Sequence, residues 1–134
     1  MTAGQHARFR LDEVIHAPVR FSIVAALAQA DEAEFAAVRD VVQVSDSTLS
    51  KQVTILEAAG YVTVKKGYVG KRPRTWLRLS SVGRDALDEH LSALRAIAEG
   101  RPAGDPMTRE QALAMRGSYA IDVLPPDVSP VDHA

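Results

Sequence analysis

The segment from residue 45 to residue 60, SDSTLSKQVTILEAAG, marks both ends of a helix more completely than any other part of this chain. Ser45 is a favourable N-cap, because its hydroxyl can accept a hydrogen bond from the free backbone donors of the first turn. Asp46 follows at the positive end of the helix dipole, and Gly60 suits the left-handed residue that ends a helix. Three apolar residues lie on one face at the spacing i, i+4 and i+7: Leu49, Val53 and Leu56. The pattern predicts a helix with one buried face and one polar face.

The residues that follow this helix predict a β-hairpin. Apolar and polar side chains alternate along residues 61–69 and again along residues 74–79. Three residues break this pattern and predict a turn: Gly67 near the end of the first run, and Gly70 and Pro73 between the two runs. Because the turn contains the sequence GKRPR, we expect the hairpin to have a basic tip.

The rest of the chain predicts three more helices: residues 18–29, 35–42 and 81–99. A turn and a short strand precede the second of these, and Ser80 is the expected N-cap of the last. The predicted fold class is mainly α with a small β-hairpin wing (α+β), in the order of a winged helix-turn-helix. We expect one domain over residues 9–99. The tail, residues 100–134, is expected to form a short helix near 109–116 and then to be disordered.

Charge is distributed unevenly along the chain. The net charge is −1, but residues 45–84 contain eight Lys and Arg against two acids, so this segment carries +6 and the remainder −7. Such segregation suits a protein that turns one basic surface toward a polyanion. A basic surface that is merely solvated is the alternative interpretation. The position of the charge beside a capped polar helix favours double-stranded DNA as the partner.

The predicted DNA contacts fall into two groups. The major groove admits one helix with short polar side chains, and the outward positions of the capped helix fit that need: Ser47, Thr48, Ser50, Lys51, Gln52 and Thr54. The second group are cations of the hairpin, which can reach phosphates or the minor groove: Lys65, Lys66, Lys71, Arg72 and Arg74. The alternative interpretation of each Ser and Thr is that it is a solvent-facing residue without a DNA contact. For Gln52, the alternative is that its side chain packs against the core. Lys51 is the strongest single candidate.

Two long runs resemble a known family. They are LDEVIHAPVRFSIVAAL and VSDSTLSKQVTILEAAGYVTVKKGYVGKRPRTWLRLSSVGRDAL, and the resemblance covers roughly residues 9–95. The chain is similar to the MarR-like winged-helix regulators, in particular to their short single-domain group. The resemblance implies homodimers that bind palindromic promoter sites and usually repress transcription. The long helical arms that bind effectors in larger MarR proteins are missing from this sequence, so the resemblance implies no particular small-molecule effector.

A dimer is also expected on physical grounds. One recognition helix and one wing bury about 600–1,000 Å² on DNA, which is the range of a single module, so useful specificity normally needs a second copy. Apolar residues of the first and last helices are the candidates for a two-fold interface: Phe21, Val24, Leu87, Leu91, Leu94 and Ala98. The alternative is that these leucines close the core of the monomer.

Several classes of function have no support in the sequence. The chain has no Cys, and its four His residues are scattered and pair with no carboxylate at metal-ligand spacing. No nucleophile-elbow or phosphate-loop motif occurs. We therefore expect neither enzymatic activity nor a metal or cofactor. No stretch approaches the ~20 apolar residues of a membrane span, so a cytoplasmic protein is expected. The rival interpretation is a winged-helix module that binds another protein and no DNA.

Overall fold

Four α-helices and a three-stranded antiparallel sheet form the part of the chain that a computed structural model describes, residues 5–102. After a short 3-10 helix (Ala7–Arg10), the elements follow in this order: α1 (Pro18–Leu27), β1 (Ala33–Glu34), α2 (Phe35–Val42), α3 (Asp46–Ala58), β2 (Val62–Val69), β3 (Arg72–Leu79) and α4 (Ser81–Glu99). The predicted fold class, mainly α with a hairpin wing, is confirmed. The short helix and the disorder predicted for the tail lie outside the described residues.

Side-chain caps fix the start of the two helices that flank the hairpin. The Ser45 hydroxyl accepts a hydrogen bond from the Thr48 backbone N–H at 3.1 Å, as the sequence predicted. The Ser80 hydroxyl accepts in the same way from the Gly83 N–H at 3.0 Å. Gly60 follows the end of α3 with a φ of +83°, a conformation that side chains with a Cβ rarely adopt. These local signals set where α3 ends and where the wing begins.

The core lies between α1, α3 and the inner face of the sheet. Its buried residues are Ile23, Val24, Leu27, Val38, Leu49, Val53, Leu56, Val62, Leu77, Leu79 and Leu87. Burying an aliphatic side chain of this size contributes about 1.5–3 kcal/mol relative to leaving it exposed. The predicted apolar face of α3, which consists of Leu49, Val53 and Leu56, belongs entirely to this cluster. The opposite face of α3 must therefore point outward. The core therefore orients the polar side of α3.

The hairpin is longer than predicted, and its turn is tighter. Val69 pairs with Arg72, so only two residues form the turn, and the first of them, Gly70, has a φ of +63°. The prediction that Gly67 and Pro73 interrupt the strands was wrong, because they lie inside β2 and β3. The two strands pair without a break from Val69–Arg72 back to their far ends.

The position of Pro73 explains why the ladder tolerates it. Pro73 faces Tyr68, one step beyond the pair that flanks the turn. In an antiparallel ladder bonded and non-bonded pairs alternate, and the pair next to a two-residue turn is the bonded one, so Pro73 needs no N–H toward β2. Nor does it need one on its other side, since β1 pairs with β3 at Leu77 and Trp76 and nowhere nearer the tip. Proline at such an unpaired edge costs no hydrogen bond.

The buried face of α4 differs from the stripe that the sequence suggested. It consists of Gly83, Leu87, His90, Ala93 and Ala96, and it packs on the core and on the short 3-10 helix. Small residues on this face allow the N-terminal segment to approach α4 closely. The hydropathy pattern missed them because glycine, alanine and histidine carry a weak apolar signal.

Two of the six residues predicted for a dimer interface belong to the core of the single chain. Val24 is 0% exposed and Leu87 is 5% exposed, so neither has surface to offer a partner, and this part of the prediction was wrong. Phe21 is half-buried against the core and meets the edge of the His90 ring. The outward residues of α4 are Leu91, which is 38% exposed, with Leu94 half-buried and Ala98 exposed.

A polar cluster around the buried His90 ties the N-terminal segment to α4. The Asp12 backbone N–H donates to Nδ1 of His90 at 3.0 Å, so the neutral His90 ring carries its proton on Nε2, which faces Nδ1 of His16 at 3.4 Å. The Tyr61 hydroxyl donates to the Asp12 carboxylate. This hydrogen bond raises the pKa of Tyr61 to about 12, with burial as the second cause. Burial lowers the pKa of His90 below its ordinary value, and His16 lowers it further, against a smaller opposing effect of Asp12.

The lowered pKa of His90 predicts a loss of stability in mild acid. The unfolded chain, with a histidine pKa of about 6.5, takes up the proton before the folded protein does, so the free energy of unfolding falls as the pH drops through that value. Protonated Nδ1 would also face the Asp12 N–H, donor against donor. Chemical denaturation of wild type and His90→Asn at about pH 7.5 and about pH 5.5 should show a smaller pH dependence in the variant. The same pH dependence in both proteins would show that His90 is not the responsible group.

Candidate nucleic-acid interface

The outward face of α3 is polar except for Ile55, which is 41% exposed, and Ala58 near its C-terminal end. Ser47, Ser50, Lys51 and Thr54 are exposed, whereas Thr48 and Gln52 are half-buried. All six were predicted as DNA contacts from the sequence. Among the described residues, Lys51 has no hydrogen bond or ion pair, which leaves its ammonium group available to a ligand.

Several hydroxyls of this face are already engaged within the helix. The hydroxyl of Thr54 donates to the Ser50 carbonyl at 2.9 Å, one turn earlier. Ser45 and Thr48 hydroxyls lie 3.0 Å apart around the N-cap. Each of these groups keeps lone pairs for a further partner, but its orientation is set by the backbone. The face is thus preorganised near its N-terminal end.

A hydrogen bond from Arg20 of α1 holds the side chain of Gln52 in place. The Oε1 of Gln52 accepts a hydrogen bond from the Arg20 guanidinium at 2.8 Å, and Arg20 also donates to the Val14 carbonyl. The contact bridges 32 positions of sequence, so no local pattern could have revealed it. It leaves the amide NH₂ of Gln52 as the group that can face a ligand.

A groove lies between α3 and the inner face of the sheet, with a volume of about 590 Å³. Its floor is apolar and its rim is polar; the lining residues are Phe35, Ser50, Val53, Thr54, Glu57, Val64, Lys66, Thr75 and Leu77. Ser50 and Thr54 of α3 therefore border the same concave surface as Lys66 of the wing. This common border places part of the polar face of α3 beside one wing cation.

The wing cations do not share one face. Strand alternation puts Lys66 on the side of the sheet that faces α3, while Lys65 and Arg74 lie on the reverse side. Lys71 and Arg72 are exposed at the tip, and the described residues provide no ion-pair partner for Lys66, Lys71 or Arg72. Two of the reverse-side cations have acidic partners: Lys65 pairs with Glu32 at 3.6 Å, and Arg74 with Glu34 at 3.2 Å. Strand alternation also puts Arg72 and Arg78 on that side.

One cation beside α3 was missed by the sequence analysis. Arg39 of α2 donates to Asp46 in the first turn of α3 at 2.9 Å and to Asp40 at 3.0 Å. Hydrogen bonds to Asp46 and then to Asp40 raise the pKa of Arg39 above its usual value. The tight link between the two helices, with Gln43 at a φ of +63°, brings Arg39 to the N-terminal end of α3. The available sequence signal was a cation seven residues before an acid in the first turn of a predicted helix.

Two other kinds of feature are not found within residues 5–102: a metal-binding group and a membrane-spanning helix. No group of three or more His, Asp or Glu in this range is arranged to hold a metal ion. None of the helices described is both long and apolar enough to cross a membrane.

Comparisons with known proteins agree with this geometry. A family model described as "Winged helix DNA-binding domain" matches residues 19–98. The structure is similar to a transcriptional regulator homologue protein from Pyrococcus horikoshii OT3, with 27% sequence identity and a TM-score of 0.62; the match covers 66% of this chain and 88% of that one. No curated protein matches the sequence significantly.

Two regulators of the MarR family share the fold at lower identity. Sco3205 from Streptomyces coelicolor, whose structure is a complex with DNA, is 20% identical with a TM-score of 0.52, over 87% of this chain and 76% of its own. A regulator from Silicibacter pomeroyi is 19% identical with a TM-score of 0.52, over 87% and 77%. Both of these similar structures are transcriptional regulators. The chain belongs to the winged helix DNA-binding domain family, and its fold is the MarR-like winged helix.

Proposed function

We propose that this protein is a sequence-specific transcriptional regulator that binds double-stranded DNA as a homodimer and acts as a repressor in the cytoplasm. The observation that carries the proposal is the shared groove, in which Ser50 and Thr54 of α3 and Lys66 of the wing border one surface. Family membership supports DNA as the ligand of that surface. Repression is supported by the resemblance to MarR regulators, which usually act by occupying promoter sites.

In the proposed complex α3 enters the major groove, which is about 12 Å wide and accepts one helix. Lys51 is the side chain that contacts a base edge or a phosphate, because no partner within the described residues competes for it. Ser47 and Thr48 lie in the first turn, where backbone N–H groups and short hydroxyls suit phosphate oxygens. Gln52 contributes its amide NH₂, which suits an acceptor on guanine or thymine.

The wing contributes contacts that depend less on sequence. Lys71 and Arg72 at the tip can reach the flanking backbone or a narrow minor groove. Lys66 lies deeper, near α3, and suits a phosphate at the edge of the major groove. Each such contact releases about 0.9 of a counterion from duplex DNA, so the binding constant must fall as salt rises.

The proposed dimer uses the outward side of α4. Leu91, Leu94 and Ala98 lie on this side, and Phe21 reaches the surface beside His90. With Val24 and Leu87 assigned to the core, the interface is smaller than the sequence suggested. A two-fold arrangement doubles the DNA surface that the protein can bury.

Selection of bound fragments from a random duplex library tests the proposal most directly. We expect an enriched inverted repeat with half-site centres about 10 base pairs apart, the separation that a two-fold pair of recognition helices imposes. Affinity for that site should fall steeply between about 50 and 200 mM salt. Enrichment of a single unrepeated half-site would contradict the dimer. If no fragment is enriched and no salt-dependent binding occurs, the fold serves as a protein-interaction module instead.

A further inference from the structure

Two acids, Glu34 in β1 and Glu32 just before it, neutralise cations of the wing. The Glu34 carboxylate accepts a hydrogen bond from Nη1 of Arg74 at 3.2 Å, and a Glu32 oxygen lies 3.6 Å from Nζ of Lys65. The pairing of β1 with β3 sets Glu34 opposite Trp76. Arg74 is two residues from Trp76 on the same face, so it is the diagonal neighbour of Glu34. The sheet register therefore brings Glu34 and Arg74 together across 40 positions of sequence.

The side chain of Arg74 is incompletely satisfied in this pair. Its side chain is 34% exposed, and Glu34 contacts only the Nη1 end. Nε of Arg74 is buried and has no hydrogen-bond partner. A buried donor without a partner is unfavourable, so the contact with Glu34 holds Arg74 without using its full hydrogen-bonding capacity. A phosphate group offers several oxygens and can pair with two nitrogens of one guanidinium.

Other wing cations differ from Arg74 in this respect. Lys71 and Arg72 are exposed and have no acidic partner among the described residues, so they attract DNA of any sequence. The pair of Lys65 with Glu32 is longer, and the Lys65 ammonium also lies 5.3 Å from the centre of the Trp76 ring. Arg74 is the wing cation whose guanidinium is hydrogen-bonded to an acid of the sheet, so its charge is already compensated in the DNA-free protein.

We infer that Glu34 is a specificity-determining residue: it occupies Arg74 in the DNA-free protein and so withholds one phosphate contact from non-specific binding. Arg74 lies on the side of the sheet that faces away from α3. In the complex with the selected site, which forms on α3, the Glu34–Arg74 pair therefore stays intact. This inference rests on the proposed function, because it concerns the same DNA-binding surface.

The variant Glu34→Gln tests the inference. We expect its affinity for random-sequence duplex DNA at low salt to rise about two- to five-fold, which is the range for one exposed ion pair. The slope of log affinity against log salt should steepen by about 0.9, the value for one additional phosphate contact. Affinity for the selected site should rise less, so the ratio of specific to random binding falls. Glu34 makes no side-chain cap bond to α2, so the unfolding midpoint should stay near that of wild type.

Two further variants separate this effect from a simple change of net charge. Asp88→Asn changes the charge by the same amount at an exposed position of α4 that has no ion pair among the described residues, and it should leave the slope unchanged. In an Arg74→Gln background, Glu34→Gln should have no effect, because the released cation is gone.

The possible failures are distinguishable. If wild type binds DNA with steep salt dependence but Glu34→Gln behaves like Asp88→Asn, the inference is wrong and the proposed function stands. An equal rise in the Arg74→Gln background would also overturn it, since the effect would not pass through Arg74. If wild type binds no DNA at all, the proposed function fails, and the inference fails with it.

Discussion

Replacing Gly83 with alanine is expected to lower the free energy of unfolding by about 3 kcal/mol, which is large for the addition of one methyl group. A Cβ at this position would lie 2.3 Å from the backbone oxygen of Tyr61 and 2.7 Å from Cδ1 of Leu79. The first of these atoms belongs to the backbone and cannot rotate away. Relieving the clash requires α4 to move from the junction between α3 and β2. Chemical denaturation followed by circular dichroism measures the effect.

The sign of this prediction makes it informative. Glycine to alanine inside a helix normally stabilises by up to about 1 kcal/mol, because alanine has the higher helix propensity. Ser92→Ala, at an exposed position of the same helix, is the matched control and should be neutral or slightly stabilising. A Gly83→Ala protein as stable as wild type would show that α4 does not pack on Tyr61 as closely as described.

Lys51→Ala is expected to give the largest loss of DNA binding from a single substitution, about 1–3 kcal/mol on the selected site if the side chain contacts a base. Lys51 is exposed in the middle of the outward face of α3, and no described residue competes for its ammonium group. Removing it should also relax the base preference at one or two positions of each half-site. Binding titrations against a panel of single-base variants of the site measure both effects.

Arg72→Ala is the comparison for Lys51→Ala, because it removes a cation from the wing tip rather than from α3. It should weaken binding to all sequences by a similar factor and reduce the salt slope by about 0.9. Arg74→Ala should have a smaller effect on random DNA than Arg72→Ala, since Arg74 is already paired with Glu34. Equal losses on cognate and random DNA from both Lys51→Ala and Arg72→Ala would contradict the assignment of base contacts to α3.

The sequence predicted the elements well where the signals are local. The N-cap hydroxyl of Ser45 and the left-handed Gly60 defined α3 to within a residue, because capping depends on atoms within a few positions of one another. The second strand of the hairpin was predicted two residues too short, because Pro73 usually interrupts a ladder. Whether it does so depends on which edge of the strand is paired, and that is a property of the assembled sheet.

What the sequence could not predict depends on contacts between distant residues. Arg20 with Gln52 and Glu34 with Arg74 join segments that come together only when α1 and β1 pack against the rest of the domain. The buried side of α4 was also missed, since it turns His90 rather than a leucine toward the N-terminal segment. In the candidate site, the sequence pattern could therefore predict which polar residues lie on the outward face of α3. It could not predict which other residues of the chain form hydrogen bonds with the side chains of the site.

The sheet has three strands only beside the two residues of β1. From Trp76 toward its tip, the described hairpin is a two-stranded ribbon that pairs with no third strand. A two-stranded ribbon twists more strongly than a wider sheet and bends more easily. In a DNA complex the tip can therefore follow a groove whose width varies with base composition, while α3, fixed by its buried face, keeps one geometry. The rigid α3 would then read base identity, and the flexible hairpin tip would respond to the shape of the duplex.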